Sequence, residues 1–366
     1  MIKMPNNVIA FAGNNIKIYE QFKDYYNHYF GRKGHYLEFD ADGKPLDLEV
    51  KASKVDEGMR KEIARLSMVN NVDGLSAEVL ATHPLYKWAT FAVVGAMVDT
   101  VLPDSLIAST GLYTDVRVGG YGDSFAFDIK PRDLFVPSKS GKAKRHGEVR
   151  KQFEGQVTVL PEFHDITVQV SFYKVLSGKE NLAEFAMKAA KGIEAQATID
   201  TFGTFNTAMA ALDNAGDDLL RVAGYTQDTF VSLAQKVTAW NGGNKAVAVG
   251  TQLALQNILP DDANYRYELD SEYVKIGYIQ TAFNYDIMAL PQVADYRTPF
   301  TLALDDEKIY ILSPSAGKLI KLCLEGSTIS IVDDINSNAN LTQSTTMRKS
   351  YGSAVCTSAL AAVITL

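Results

Sequence analysis

From Ser177 to Leu212 the chain runs without a proline, and its apolar residues recur with the period of a helix about ten turns long. Ser177-Gly178-Lys179-Glu180 has the form of a capping box, in which the serine oxygen and the glutamate satisfy backbone N–H groups reciprocally, so the helix is expected to start there. Leu182, Phe185, Ala186, Ala189 and Ile193 make one stripe, whereas Phe202, Phe205, Met209 and Leu212 fall roughly on the opposite side at about 100° per residue. A helix that changes its buried face partway has two different partners along its length. Asn214 and Gly216 supply its stop.

What flanks this helix differs on its two sides. Between Thr110 and Val175 the period drops to two: Phe125, Phe127 and Ile129 alternate with polar residues, as do Val157 with Val159, and Ile166, Val168, Val170 with Phe172. These read as strands of a hairpin. Its connection, Pro137 to Lys151, carries Lys139, Lys142, Lys144, Arg145, Arg150 and Lys151 against the single acid Glu148, which makes it a projecting basic tip. After Tyr225 the texture is α/β: a helix to Trp240 capped by Thr226 or Asp228, a buried strand Lys245 to Val249, a helix Gln252 to Leu259, and strands at Tyr273 to Ile279, Lys308 to Leu312, Leu319 to Leu324 and Thr328 to Val332. A last β-like apolar run passes through Val355 and Val363.

The N-terminal hundred residues are helical. Asn15 is placed to cap a helix through Tyr29 that Gly31 and Gly34 end; Lys54 to Val69 reads as a second helix, rich in exposed charge; Trp88 to Val101 is a third, apolar nearly all round and stopped by Pro103. Neither Trp88 to Val98 nor Ser353 to Leu366 reaches the roughly 18 to 20 residues of a membrane span, so both are expected in the core and no membrane partner is expected. Met1 to Gly13 lacks the apolar length of a secretory signal.

Composition narrows the chemistry. A net charge of −7 argues against broad wrapping of nucleic acid, because phosphate binding needs a clustered cationic face. Cys323 and Cys356 are too few for a disulfide framework and sit in apolar runs, as buried thiols do. The Gly-Lys pairs at Gly43, Gly141, Gly178 and Gly317 lack the following Ser or Thr and the earlier glycine of a phosphate loop, and Gly119, Gly120 and Gly122 precede a strand instead of opening a helix. His28, His35, His83, His146 and His164 show no i, i+4 pair for zinc; Asp334, Asn336 and Asn338 begin like a calcium loop, but Ala339 and Thr345 stand where glycine and the bidentate acid belong. No serine lies in a nucleophile elbow and no cysteine lies beside a histidine. The reading is therefore no catalytic residues, no cofactor, no metal, and no enzyme.

In the order of its parts the chain resembles the major capsid proteins of tailed bacteriophages, the Hong Kong 97 fold. The resemblance implies an α+β fold in which residues 1–109 form an N-terminal arm with flanking helices, 110–176 an extended E-loop hairpin, 177–224 the spine helix of a peripheral domain, 225–340 an axial domain and 341–366 a returning peripheral-domain strand. Ala246-Val247-Ala248-Val249-Gly250-Thr251 is similar to the axial core, and the pattern continues in Val274 to Tyr278, Ile287 to Pro291, Lys308 to Pro314 and Gly352 to Val355. It implies a subunit that self-assembles into pentamers and hexamers of an icosahedral virion shell around double-stranded DNA, built in the host cytoplasm, with portal and possible decoration proteins as partners and DNA touched only loosely. Since no charged heptad run precedes Thr110, a separate scaffolding protein or prior trimming is implied as well.

The residues expected to make inter-subunit contacts are Lys139, Lys142, Lys144, Arg145, Arg150 and Lys151, of which Lys142, Lys144 and Arg145 are expected to meet acids such as Glu57, Glu62, Asp305 or Asp306 of an adjacent subunit. Two alternatives stand beside this reading: an encapsulin-like compartment, and an α/β enzyme with dispersed catalytic residues whose hairpin serves dimerisation.

Overall fold

The computed structural model describes residues 6–13, 15–32, 39, 44–69, 79–80, 83–111, 113–129, 142, 155–171, 174, 179–211, 220–259, 273–295, 297–332, 342–356 and 359–366. Helices come first: α1 (Asn6–Ala12), α2 (Ile16–Tyr29), α3 (Leu48–Ser67) and α4 (Pro84–Thr110). Helix α3 begins earlier than expected, because Asp47 caps it by accepting the Leu48 N–H at 2.8 Å. Its charge is not all on the surface either. Lys51 and Glu62 are buried; Lys51 meets Asp24 of α2 at 2.5 Å, and Glu62 accepts from Arg65 and from Asn15. Asn15 precedes α2 as expected, but its side chain is spent on Glu62 instead of capping the helix.

Helix α4 corrects a second expectation, for it runs straight through Pro103 to Thr110. A proline inside a helix removes one hydrogen bond and crowds the carbonyl four residues back. Here Val98, Val101, Leu102 and Leu106 are buried around it, and their packing holds the helix together. The longer helix also changes the membrane arithmetic: Pro84–Ile107 is long and apolar enough to cross a bilayer, yet 78% of its most apolar window is buried inside the protein, as a core helix would be.

Strands β1 (Thr114–Gly119), β2 (Phe125–Ile129), β3 (Gly155–Val159) and β4 (Glu162–Ser171) follow. Only β2 and β3 make the antiparallel ribbon; β4 leaves it and joins a four-stranded sheet in the order β1-β12-β13-β4, with β12 (Ile320–Val332) and β13 (Thr342–Val355) supplied from late in the chain. The reason is side-chain demand: Ile166 and Val168 of β4 pack on the helical core, where the ribbon could not cover them. One face of this sheet, through Leu322, Leu324, Met347 and Tyr351, lies on α4 and on α5 (Leu182–Ala211).

Helix α5 starts at Leu182, later than the capping box placed it. Asn181 is the cap, its side-chain oxygen accepting the Ala183 N–H at 2.9 Å, and Asp56 of α3 accepts the Leu182 N–H at 2.9 Å. Ser177, Gly178, Leu212, Asn214 and Gly216 lie outside the described residues. The change of buried face is present. Ala183, Ala186, Ala190 and Ile193 belong to the core shared with α2, α3 and α4, while Phe202, Phe205 and Met209 belong to a different one.

That second core lies under a six-stranded sheet of order β5-β14-β11-β6-β8-β7, made from β5 (Arg221–Ala223), β6 (Val247–Gly250), β7 (Thr281–Ala282), β8 (Tyr285–Ala289), β11 (Lys308–Leu312) and β14 (Ala362–Thr365). Its strands are apolar on both faces, and period-two alternation sorts them. Ala248, Ile309, Ile311 and Ile364 face α6 (Gln227–Trp240) and the short α7 (Gln252–Leu255), whereas Val249, Tyr310, Leu312 and Val363 face the far half of α5. A small hairpin, β9 (Ala294–Asp295) with β10 (Thr301–Leu302), leaves between β8 and β11.

Two further expectations change. Residues 273–276 form a helical turn, with the Gly277 N–H bonded to the Tyr273 carbonyl at 2.7 Å, instead of a strand. Strands β13 and β14 lie in different sheets, and β12 pairs in the four-stranded sheet, so the chain crosses between the sheets more often than a linear division at 225–340 and 341–366 allows.

Where β12 passes Glu325 its register against β13 shifts, and the backbone of the irregular stretch finds side-chain partners. Asp99 of α4 accepts the Thr328 N–H and hydroxyl, each at 2.7 Å; Lys349 of β13 gives its ammonium to Asp99 and to the Gly326 carbonyl, again at 2.7 Å. Asp99 and Lys349 are both 4% exposed at the side chain. Gly326 has φ +59°, and a Cβ there would stand 2.3 Å from the Tyr121 ring.

Candidate functional site

The ribbon is fixed at its root by ordinary core chemistry. Phe125 and Phe127 of β2 and Val159 of β3 point down onto Cys323 and Ala354, on the face of the four-stranded sheet opposite the helices. Arg117 of β1 stacks its guanidinium 4.1 Å from the Phe127 ring centre and donates to the Ala126 carbonyl at 2.7 Å; Lys321, paired to Asp115 at 3.3 Å, lies 5.5 Å from the same ring. Gly352 makes room for the chain to cross, since a Cβ there would meet the Leu160 carbonyl at 2.5 Å. The root of the ribbon is thus docked on its own subunit.

Of the six basic residues expected at the tip, Lys142 is exposed, and Lys139, Lys144, Arg145, Arg150 and Lys151 lie outside the described residues. The acids proposed to receive them differ from one another. Glu62 is fully buried and already bound, so it is no receptor. Glu57 is exposed and pairs with Lys61 at 2.6 Å, a hydrogen bond that holds its carboxyl below the ordinary range. Asp305 pairs with Lys308 at 2.8 Å, and Asp306 accepts from Gln292 at 2.9 Å.

The same outer face is left open farther along the sheet. Ile329 and Ile331 of β12 stand exposed there, across from Arg348 and Thr346 of β13, and the row ends in a two-pronged ion pair of Arg348 with Asp165 of β4 at 2.7 and 2.8 Å. Beside it Phe163 and Leu160 are exposed. Periodicity alone could have marked the alternation of Ile329 and Ile331, but not their exposure.

Large apolar side chains are exposed elsewhere as well: Trp88 on α4, Trp240 at the end of α6, Val274 in the helical turn, and Phe300 and Leu302 on the β9–β10 hairpin. Sequence reasoning missed the exposure of all of these, because periodicity does not tell an exposed apolar side chain at an element's end or in a turn from a buried one. Among the described residues no three His, Cys, Asp or Glu side chains gather as a metal site requires. Cys323 is buried, which pushes its thiol up to about 11 and leaves it a poor nucleophile.

The fold is similar to solved capsid structures. The capsid of the native GTA particle has 13% identity and a TM-score of 0.47, covering 71% of this chain and 90% of that chain; the mature capsid of bacteriophage PhiM1 has 11% identity and a TM-score of 0.46, covering 69% and 85%. The chain of Mycobacterium phage Cain has 11% identity and a TM-score of 0.43, covering 71% and 89%. No family model and no curated protein sequence matches the chain.

Proposed function

We propose that the protein is a major capsid subunit that self-associates into pentamers and hexamers of a closed shell enclosing double-stranded DNA. The observation that carries this reading is the distribution of its exposed anchors: Leu160 beside the ribbon, Trp240 on a helix end, Val274 in a turn and Phe300 on a hairpin are each well exposed, on four separate segments of the chain. Scattered single apolar residues are ordinary on a surface, but large ones at the extremities of several elements fit a subunit with several neighbours. The shifted tyrosines Tyr19, Tyr113 and Tyr310 and the Cys323 thiol are raised mainly by burial, as core groups are.

The ribbon suits assembly physically. A two-stranded ribbon is marginal in water by itself, and here its root is supported by the subunit's own sheet. Its basic connection would gain by lying over a neighbour of an acidic chain. Each interface needs little strength, because closed symmetry multiplies it. A separate scaffolding protein, a portal, decoration proteins and assembly in the host cytoplasm belong to the same proposal.

Size-exclusion chromatography with negative-stain microscopy of the purified protein tests it. Rings of five and six or closed shells are expected, and a monomer or simple dimer at every concentration would refute the reading. Reversal of Lys142, Lys144 and Arg145 to glutamate is expected to suppress particle formation.

A further inference from the structure

Phe300 combines two features that an isolated subunit has no use for. It is fully exposed, and its backbone sits at φ +62°, in the left-handed region that costs a bulky L-residue roughly 1–2 kcal/mol. The hairpin presenting it is built to hold that position: the Asp295 carboxylate accepts the Arg297 N–H at 2.9 Å, and Thr301 closes onto the Thr298 carbonyl through its backbone N–H and its hydroxyl. Leu302 stands exposed beside it. A rigid turn thus carries an aromatic anchor into solvent.

A groove with an apolar wall lies on other elements of the fold. Between α1, α4 and β12 runs a groove of about 270 Å³ with an apolar wall of Val8, Phe11, Trp88, Ala92 and Ala96 and a polar one that includes Asp99. Its volume is below that of pockets that enclose drug-sized ligands, and suits one large side chain with part of another. Ile9, Leu85 and Ile329 are exposed nearby on the same three elements. Trp88, in its wall, is of a residue type enriched at the energetic centres of protein contacts.

We infer that the Phe300 tip of one subunit seats in the α1–α4–β12 groove of a second copy of this chain. The inference rests on the shell reading, and the area involved favours a copy over a foreign partner. A buried aromatic contributes roughly 150–250 Å², so Phe300 with Leu302 supplies far less than the roughly 800 Å² per partner of a stable pair. Such a contact cannot hold two molecules alone. It persists where every subunit offers one tip and one groove in a closed cycle. Tip and groove are different patches, so repeated around a ring the contact is head-to-tail; a covalent ladder beyond the dimer separates that arrangement from a reciprocal two-fold pair.

Paired cysteines test the contact. Both native thiols are buried, so in assembled protein the double substitution F300C with A92C reports on this contact under mild oxidation. A ladder of covalent oligomers beyond the dimer is expected from the double variant and none from either single variant. Particles of the double variant without a ladder would overturn the contact and leave the shell reading standing; dimers from F300C alone would overturn the head-to-tail geometry. If the unmodified protein forms neither rings nor particles, both readings fall.

Phe300→Gly separates the contact from folding. Glycine relieves the backbone, so the melting temperature of the subunit should stay level or rise. The protein concentration needed for assembly should rise about tenfold or more, as loss of an anchor side chain requires. A lower melting temperature with unchanged assembly would make Phe300 an internal prop and refute the inference.

Discussion

Lys349→Met is the sharpest test of how the two long strands are held. The ammonium lost is 4% exposed and lies 2.7 Å from Asp99, which is equally buried. Methionine fills much of the same volume, so the perturbation is electrical more than steric. It leaves the Asp99 carboxylate with its two Thr328 bonds but no counter-charge, and leaves the Gly326 carbonyl without the ammonium that bonds it at 2.7 Å. Breaking a buried pair from one side costs about 3–5 kcal/mol, to which the stranded carbonyl adds about 1 kcal/mol. Urea unfolding followed by circular dichroism should show a loss of about 4–6 kcal/mol. In Asp99→Asn with Lys349→Met no charge is stranded, while the amide oxygen still accepts from Thr328. That double variant should therefore recover about 2 kcal/mol of the loss. If it is no better than Lys349→Met alone, or if Lys349→Met costs less than about 1 kcal/mol, the pair is not the buried lock that its geometry describes.

Three more predictions follow from the same structure. Gly326→Val forces a β-branched residue into φ +59° against the Tyr121 ring and should cost about 2–4 kcal/mol by the same unfolding assay. Cys323 and Cys356 should resist iodoacetamide at pH 8 in the native protein and both react in denaturant, because each is buried and the Cys323 thiol is raised to about 11; labelling of Cys323 in the native state would contradict its cover by the ribbon root. Arg348 holds the Asp165 carboxyl below its ordinary range, mainly by hydrogen bonding, so its folded pKa lies under the unfolded value near 3.9. Its stabilisation is then complete above about pH 4 and lost as pH falls through the folded value. Unfolding midpoints measured from pH 6 to pH 2 should fall less steeply in Arg348→Met than in the parent.

The parts of the molecule that were legible in the sequence are those where periodicity reports a single environment. Strand β11 falls at Lys308–Leu312 as read, and the change of face along α5 is visible from Ile193 to Phe202, because each half packs in one core. What was not legible depends on contacts between distant segments. Pro103 sits in mid-helix only because its neighbours are enclosed, and Leu182 starts α5 only because Asp56 of another helix meets its N–H. Val274 to Tyr278 has the β-branched residues of a strand, yet Gly277 at φ +87° ends a helical turn there. As for the candidate site, a basic connection could be seen in composition. Exposed anchors such as Phe300 could not, since nothing local distinguishes them from core aromatics.

Helix α5 is clamped at both ends by different cores, and β12 likewise runs from one to the other, with Ile320 in the second core and Leu322 and Leu324 in the first. Thirty residues at 1.5 Å each make a rod about 45 Å long. Turning such a rod by one degree at one clamp moves its far end by about 0.8 Å, a distance close-packed side chains register. Neither sheet can therefore be displaced alone: pressure on one flank arrives at the other as a shift of the same lever, and the subunit yields or resists as a single piece.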